Sequence, residues 1–421
     1  MNESTLPRAN AARRAVGLPG LLAAFGGLYA SQGLLSGLAH EGLPVLLRAQ
    51  GVGLDKIGLL SLLFLPTAIK FLWAARTDRV AGNGPGDRLR LANKLQGLLV
   101  LGMLLAIMLP PATAMTPLLA LLGVLMLVMV TQDIVTDGTA VLSLSRRQRG
   151  LGNIMQIGGS YLGYILGGGV WVALASSVGW ALASLYLVAL LGLCAVPALL
   201  LRRRALPLPA RCAEQPSEPP SLRRAWQNPA VRWGMACVVS FQAPVRWFTA
   251  IMLTYLVDRG FDVLQVGLLS SSGIALSGIA GACLGGLLLE RAGRRRMVWA
   301  SLFSYLLLQL GYLALESQGN TDTVLLTTIF LAFCLSMAMG FVVLYSLMMD
   351  WVSPAQAGTD YSLLQCTDAW CALVLGLSAT QFTHHYGYAA SFAVASVLAL
   401  LALVLAPRCQ ARASAAVQAA Q

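Results

Sequence analysis

Asp133 and Asp137 stand four residues apart inside the apolar stretch 117–143. On a helix that spacing sends both carboxylates from one face, about 6 Å apart along the axis. Carboxylates so placed repel, and repulsion with partial desolvation favours holding one proton between them, the property of a group that carries protons near neutral pH. Lys70, at a similar depth in the stretch 57–75, offers a second reading in which it neutralises one aspartate as a structural pair. Both readings stay open at this level. An ionisable side chain inside an apolar span costs about 2.5 to 3.5 kcal/mol to insert and normally faces the bundle interior or a water-filled cavity. Each of the three is therefore a candidate for a substrate or proton pathway.

Arg246 sits near the middle of the stretch 229–257, within F-Q-A-P-V-R-W-F. Its planar fork suits a carboxylate or phenolate on a ligand, Pro244 can open the backbone nearby, and Trp247 with Phe248 offers stacking surface. An ion pair with an aspartate of 117–143 is the alternative. Tyr29 and Gln32 lie in the run G-G-L-Y-A-S-Q-G, where small residues let helices approach and polar ones hydrogen-bond across. Gln32 reads either as a substrate contact or as packing glue. Gln156 and Gln365 recur 209 residues apart, and Asp368 follows Gln365 at i+3, forming one polar patch. His384 and His385 are neighbours whose side chains diverge on a helix, so neither a metal site nor a cofactor is expected. The chain has no H-E-x-x-H, no G-x-S-x-G and no Walker loop, which argues against an enzyme and against an ATP-driven pump.

The elements that must hold these residues follow from composition. Of 421 residues, 57% are hydrophobic and 11% charged, with mean hydropathy +0.72, where a soluble globule carries about 25% charge. The fold class is an all-α membrane protein without large extramembrane domains. Each crossing needs about 20 residues, and the apolar runs give twelve spans, near 17–40, 57–75, 91–110, 117–143, 151–174, 180–201, 229–257, 263–289, 297–315, 323–350, 360–383 and 387–406. The formal charge of +12 comes from basic residues in short loops, not from a stripe interleaved with aromatics, so nucleic acid is not a partner. Alternate connections place 24 Lys or Arg on one side and only Arg48, Lys56 and Arg259 on the other, which assigns both termini to the cytoplasm. Arg8, Arg13 and Arg14 precede no small-residue cleavage site, so no removable signal peptide is expected. The eight cysteines form no C-x-x-C pair, most fall inside apolar runs, and they read as packing residues.

Internal repetition narrows the class further. Leu43 to Ser61 reads L-P-V-L-L-R-A-Q-G-V-G-L-D-K-I-G-L-L-S, and 209 residues later Met252 to Ser270 reads M-L-T-Y-L-V-D-R-G-F-D-V-L-Q-V-G-L-L-S. Asp78-Arg79, after span two, pairs with Glu290-Arg291, after span eight. Two six-helix halves in parallel repeat follow, covering residues 1–201 and 229–421 and joined by a polar cytoplasmic linker at 202–228, with substrate bound between the halves near mid-membrane. An acid at the end of span two can meet a helix N-terminus or basic neighbours, so Asp78, Arg79, Glu290 and Arg291 are expected to gate the cytoplasmic side. Asp350, near the end of span ten, reads as a solvated terminus.

The loops W-A-A-R-T-D-R-V-A-G and G-G-L-L-L-E-R-A-G-R-R-R resemble the G-x-L-x-D-R-x-G-R-R signature of major facilitator transporters, the second copy being nearer the pattern. K-F-L-W-A at Lys70 to Ala74, T-Q-D-I-V-T-D-G at Thr131 to Gly138 and R-G-L-G-N-I-M-Q at Arg149 to Gln156 are similar to the AmpG-type branch. That branch includes muropeptide permeases, acetyl-CoA transporters and siderophore importers related to the rhizobactin and pyochelin permeases. Muropeptide permeases tend to carry additional C-terminal spans, and the twelve spans here favour the siderophore importers. The resemblance implies a monomeric multi-pass transporter of the bacterial inner membrane. It would sit in membrane lipid, exchange protons and import a ferric siderophore or similar medium-sized organic ligand by alternating access. Muropeptide import, export of drugs or metabolites, and a non-transporting receptor or assembly factor are the competing readings.

Overall fold

The computed structural model describes residues 17–53, 57–82, 84–201, 219–319 and 321–419. Arg8, Arg13, Arg14, Lys56, Cys212 and residues 202–218 of the linker lie outside the described residues. Among the described residues all regular structure is helical. Nine helices are long and apolar enough to cross a membrane, and two of these, Arg149–Leu201 and Pro354–Ala419, are pairs. At 1.5 Å per residue an unbroken helix of the second length would reach about 100 Å, several times the roughly 30 Å hydrocarbon core. Gly179 and Gly387, at φ 83 and 79, break the two with backbone that side-chain-bearing residues rarely adopt.

A further span is assembled from a 3-10 segment, Leu59–Phe64, and the helices Leu65–Ile69 and Phe71–Ala81. Twelve spans result. Span one is Leu18–Ala49, span two 59–81, span three Pro85–Ala106 and span four Pro111–Ser143. Spans five and six are 149–178 and 180–201, and span seven is Pro229–Asp258. Span eight is 263–292, span nine Arg294–Ser317, span ten Thr323–Trp351, and spans eleven and twelve are 357–386 and 388–419. Helices two and twelve outrun their expected ends at 75 and 406, because hydropathy marks the hydrocarbon thickness whereas the helix continues into water with Arg76, Arg79, Arg408 and Arg412 along it.

The repeat is written into the backbone. Three pairs of left-handed glycines, Gly51 and Gly260, Gly82 and Gly293, Gly179 and Gly387, recur 208 to 211 residues apart at equivalent turns. Span one packs on span five through small residues: Cβ atoms at Gly33 and Gly37 would strike the carbonyls of Ser160 and Tyr164, and those at Gly163 and Gly167 the carbonyls of Ala30 and Leu34. Such close approach is how apolar helices associate when lipid supplies no hydrophobic drive. The second half uses aromatics instead, with Phe248 tilted against Phe333 at 4.4 Å and edge-on to Tyr312 at 5.3 Å.

Candidate functional site

Spans one, two, four, five and eleven converge on one buried polar cluster. Lys70 of span two donates to Asp133 of span four and to Gln365 of span eleven. Its Nζ lies 4.0 Å from Asp137 Oδ2. Asp137 Oδ1 accepts from Tyr29 at 2.7 Å and from Gln156 at 3.1 Å, while Oδ2 has no hydrogen-bond partner. Tyr361 donates to Gln156 Oε1 at 3.4 Å. The lysine thus pairs directly with Asp133, and Asp137 is held by neutral donors. The i,i+4 aspartates share a face but not an environment, with side-chain exposures of 17% for Asp133 and 0% for Asp137. Two bonds of the cluster, Lys70 to Gln365 and Tyr361 to Gln156, cross from one half to the other.

Arg246 stands one turn of span eleven away. Its Nε and Nη2 donate to the two carboxylate oxygens of Asp368 at 3.0 and 2.6 Å, and its guanidinium lies 5.2 Å over the Phe341 ring. This corrects the expectation of an ion pair with a span-four aspartate: the partner belongs to span eleven of the same half, which packs along span seven. Arg246 keeps 23% of its side chain exposed and Asp368 only 6%, so one face of the fork remains open. Trp247 turns toward the core. It is 7% exposed and donates through Nε1 to Ser391 on span twelve, because position 247 turns about 100° from Arg246, into the aromatic core that also takes Phe248. Gln365 and Asp368, one turn apart on span eleven, join the two clusters.

The connections that follow even-numbered spans, with the linker, form one end of the molecule, here the linker end. There Asp78 accepts from the Thr359 backbone N–H and hydroxyl, both at 2.6 Å, and from Arg88 at 2.7 Å. It therefore meets the N-terminus of span eleven and a basic neighbour together. Arg79 points away and donates to the Pro220 carbonyl. The second motif copy departs from expectation: Glu290 and Arg291 are exposed and make no hydrogen bond or ion pair among the described residues. Asp350 is the paired acid there and is no solvated terminus, since Arg149 reaches it at 2.5 Å, Arg146 at 3.2 Å and Arg294 at 2.5 Å. Arg146 and Arg149 belong to one half and Arg294 and Asp350 to the other, so the linker end is closed.

Two glycines make room for that closure. A Cβ at Gly358 would come 2.5 Å from Asp78 Oδ1 and 3.0 Å from the Ile134 carbonyl, and one at Gly138 would run into the Arg88 guanidinium. Gly358→Ala is expected to pry spans four and eleven apart at this end. A cysteine placed at the buried position Ala357 should then react severalfold faster with a water-soluble maleimide, and an unchanged rate would mean that the crossing accommodates the methyl group.

Gln242, Tyr345, Tyr361 and Phe341 do not stand out as candidates in the sequence. Gln242 is fully buried with neither amide atom hydrogen-bonded, and Gln32 is buried with its Nε2 unpaired. The two are 210 residues apart, so the repeat offset that matched Gln156 to Gln365 was also the signal for Gln242. Tyr345 and Tyr361, edge to face at 6.5 Å, and Phe341 carry no such signal, because an aromatic in an apolar span looks like core.

Comparison with known proteins agrees with this architecture. The profile of the Major Facilitator Superfamily matches residues 21–346 and 236–415. The anhydromuropeptide permease of Escherichia coli (strain K12) is 25% identical over 389 residues, covering 90% of this chain and 78% of that protein. An uncharacterized protein of Haemophilus influenzae is 22% identical, covering 87% of this chain and 89% of its own length. Among solved structures, the Major Facilitator Superfamily transporter FucP in its outward conformation superposes with TM-score 0.70 at 13% identity, over 93% of this chain and 98% of FucP. A bacterial homologue of the iron transporter ferroportin in an outward-facing state gives 0.68 at 14% identity, over 94% of this chain and 99% of that one. With the family profile spanning nearly the whole sequence, this chain belongs to the Major Facilitator Superfamily, as a multi-pass secondary transporter of a small-molecule substrate and not an enzyme.

Proposed function

We propose that the chain is a proton-coupled importer of a medium-sized organic anion in the bacterial inner membrane, with both termini and the linker cytoplasmic. The charge balance of the mid-membrane site carries this reading. Lys70 and Arg246 face Asp133, Asp137 and Asp368, which leaves one negative charge in excess, and uncompensated charge at this depth is costly. One proton on Asp137 balances the site, and its unpartnered Oδ2 is the place for it. Loss of that proton frees a carboxylate to compete with Gln365 for Lys70, loosening a bond between the halves. Alternating access then moves the half 1–201 against the half 229–421 about the linker 202–228. With the linker cytoplasmic, the closed end is the inner one and the site awaits ligand from outside. A single chain holds both halves and the whole site, so a monomer suffices.

Arg246, with the buried amides of Gln32 and Gln242, is assigned to the ligand. The likeness to an anhydromuropeptide permease over 90% of this chain supports a sugar-peptide of that class. A ferric siderophore is the second reading, since siderophore importers share the branch that the motifs at Lys70, Thr131 and Arg149 resemble. In proteoliposomes with an inward proton gradient, the muropeptide class should accumulate and a siderophore should not. The opposite result would reassign the ligand, and flux of neither, with flux of cationic drugs instead, would sink the import reading. Orientation has its own check. Cysteines at Ala292 and at Pro216, the latter outside the described residues, should label from the cytoplasm and one at Asp322 from the periplasm; the reverse pattern would invert the topology.

A further inference from the structure

A groove of about 1140 Å³ runs along the outer wall, behind the polar clusters. It is lined by Phe71 of span two, Val239 of span seven, Leu363 and Val374 of span eleven and Leu398 of span twelve. Val239 and Val374 are 45% and 55% exposed, so the groove opens outward at membrane depth. Its span-eleven wall, from residue 363 to 375, rises about 18 Å at 1.5 Å per residue, close to one leaflet of a core roughly 30 Å thick. The lining is almost entirely apolar over that length.

The linker end of the groove has a different chemistry. The short helix Leu222–Gln227 lies there, and Arg223 and Trp226 line the groove from it. Both side chains are exposed, Trp226 to 57%. The segment leading into the helix is pinned to both halves: Arg79 donates to the Pro220 carbonyl at 3.0 and 2.8 Å, and the Ser221 N–H donates to Gln356 Oε1 at 3.1 Å. An arginine and a tryptophan fixed at the end of a leaflet-long apolar groove match the parts of a phospholipid. The guanidinium meets the phosphate, the indole sits at the headgroup level and the hydrocarbon runs below.

We propose that this groove is a phospholipid site, with one acyl chain between spans two, seven, eleven and twelve and an anionic headgroup on Arg223. Because span two belongs to one half and the other walls to the second, the lipid fills the seam between them. Phe71 and Cys366, both in the lining, directly follow the hydrogen-bonded pair Lys70 and Gln365, so the chain lies against the back of that contact.

Native mass spectrometry of the full chain, purified in mild detergent from bacterial membranes, tests the site. Wild type should retain one phospholipid, with phosphatidylglycerol favoured over phosphatidylethanolamine. Ala243→Trp, which fills the groove, should cut retention severalfold, and Val374→Trp should do the same from span eleven if the first variant folds poorly. Arg223→Ala should keep a lipid but lower the anionic preference about fivefold. Leu276→Trp, at an exposed position on span eight outside the groove, should change nothing. Equal retention by wild type and both groove variants would overturn the proposal. So would loss of solute uptake in a groove variant whose lipid retention is unchanged, since the groove would then be a lateral entry for the transported ligand.

Discussion

Asp137→Asn should abolish pH-driven uphill uptake while leaving ligand binding and counterflow exchange intact. A pH gradient equivalent to about 150 mV gives each proton roughly 3.5 kcal/mol, enough for a concentration ratio of about 300, so the expected change is from that ratio to near unity. Asparagine imitates the protonated carboxylate and keeps an acceptor for Tyr29 and Gln156, whereas exchange needs no net proton movement. The variant should also fold, because Lys70 keeps both Asp133 and Gln365. Asp133→Asn should behave differently. It leaves Lys70 with no carboxylate nearer than 4.0 Å, and breaking a buried pair costs about 3 to 5 kcal/mol. Folded protein should fall, and Lys70→Met added to Asp133→Asn should recover it. Uptake by Asp137→Asn that still accumulates solute against a gradient, at normal expression, would remove Asp137 from the coupling mechanism.

How far the sequence foretold this arrangement depends on what kind of signal each residue leaves. Charges in apolar runs are conspicuous, and Lys70, Asp133 and Asp137 proved to form one group and Arg246 and Asp368 another. The partner of each was not readable. Helical spacing fixes which residues share a face, but which faces meet depends on how twelve helices pack, and Arg246 met Asp368 in place of a span-four aspartate. The surroundings of Trp247 were unreadable for the same reason, since one residue of rotation turns it to Ser391 and the core. The linker end gave the sharper lesson. The motif copy nearer the family pattern, at Glu290 and Arg291, is exposed, and the less regular copy supplies the buried Asp78. A short pattern records that a loop is of a kind, while burial is decided by what the opposite half presents: Thr359 and Gly358 opposite Asp78, three arginines around Asp350. The repeat itself was legible at one turn, because the aligned stretches carry Gly51 and Gly260 in the same register and both are left-handed.

Arg246→Lys should weaken ligand binding about tenfold or more while folded protein stays near wild type. Lysine preserves the charge that Asp368 requires but not the fork, which in the arginine spends Nε and Nη2 on Asp368 and leaves the remaining donors toward the open face. A hydrogen bond to a charged group contributes about 1.5 to 3 kcal/mol, which spans roughly ten- to over a hundredfold in affinity. The loss should be confined to ligands with a carboxylate or similar anion, and an uncharged analogue should bind wild type and variant alike. A purely structural Arg246–Asp368 pair predicts another outcome. Replacing both partners by apolar residues of similar volume is often neutral for a buried pair, so Arg246→Met with Asp368→Leu would then restore both expression and transport. If Arg246 holds the ligand, the same double variant should express and fail to transport. Transport by that double variant at wild-type affinity would exclude Arg246 from recognition and leave Gln32 and Gln242 as the polar groups facing the ligand.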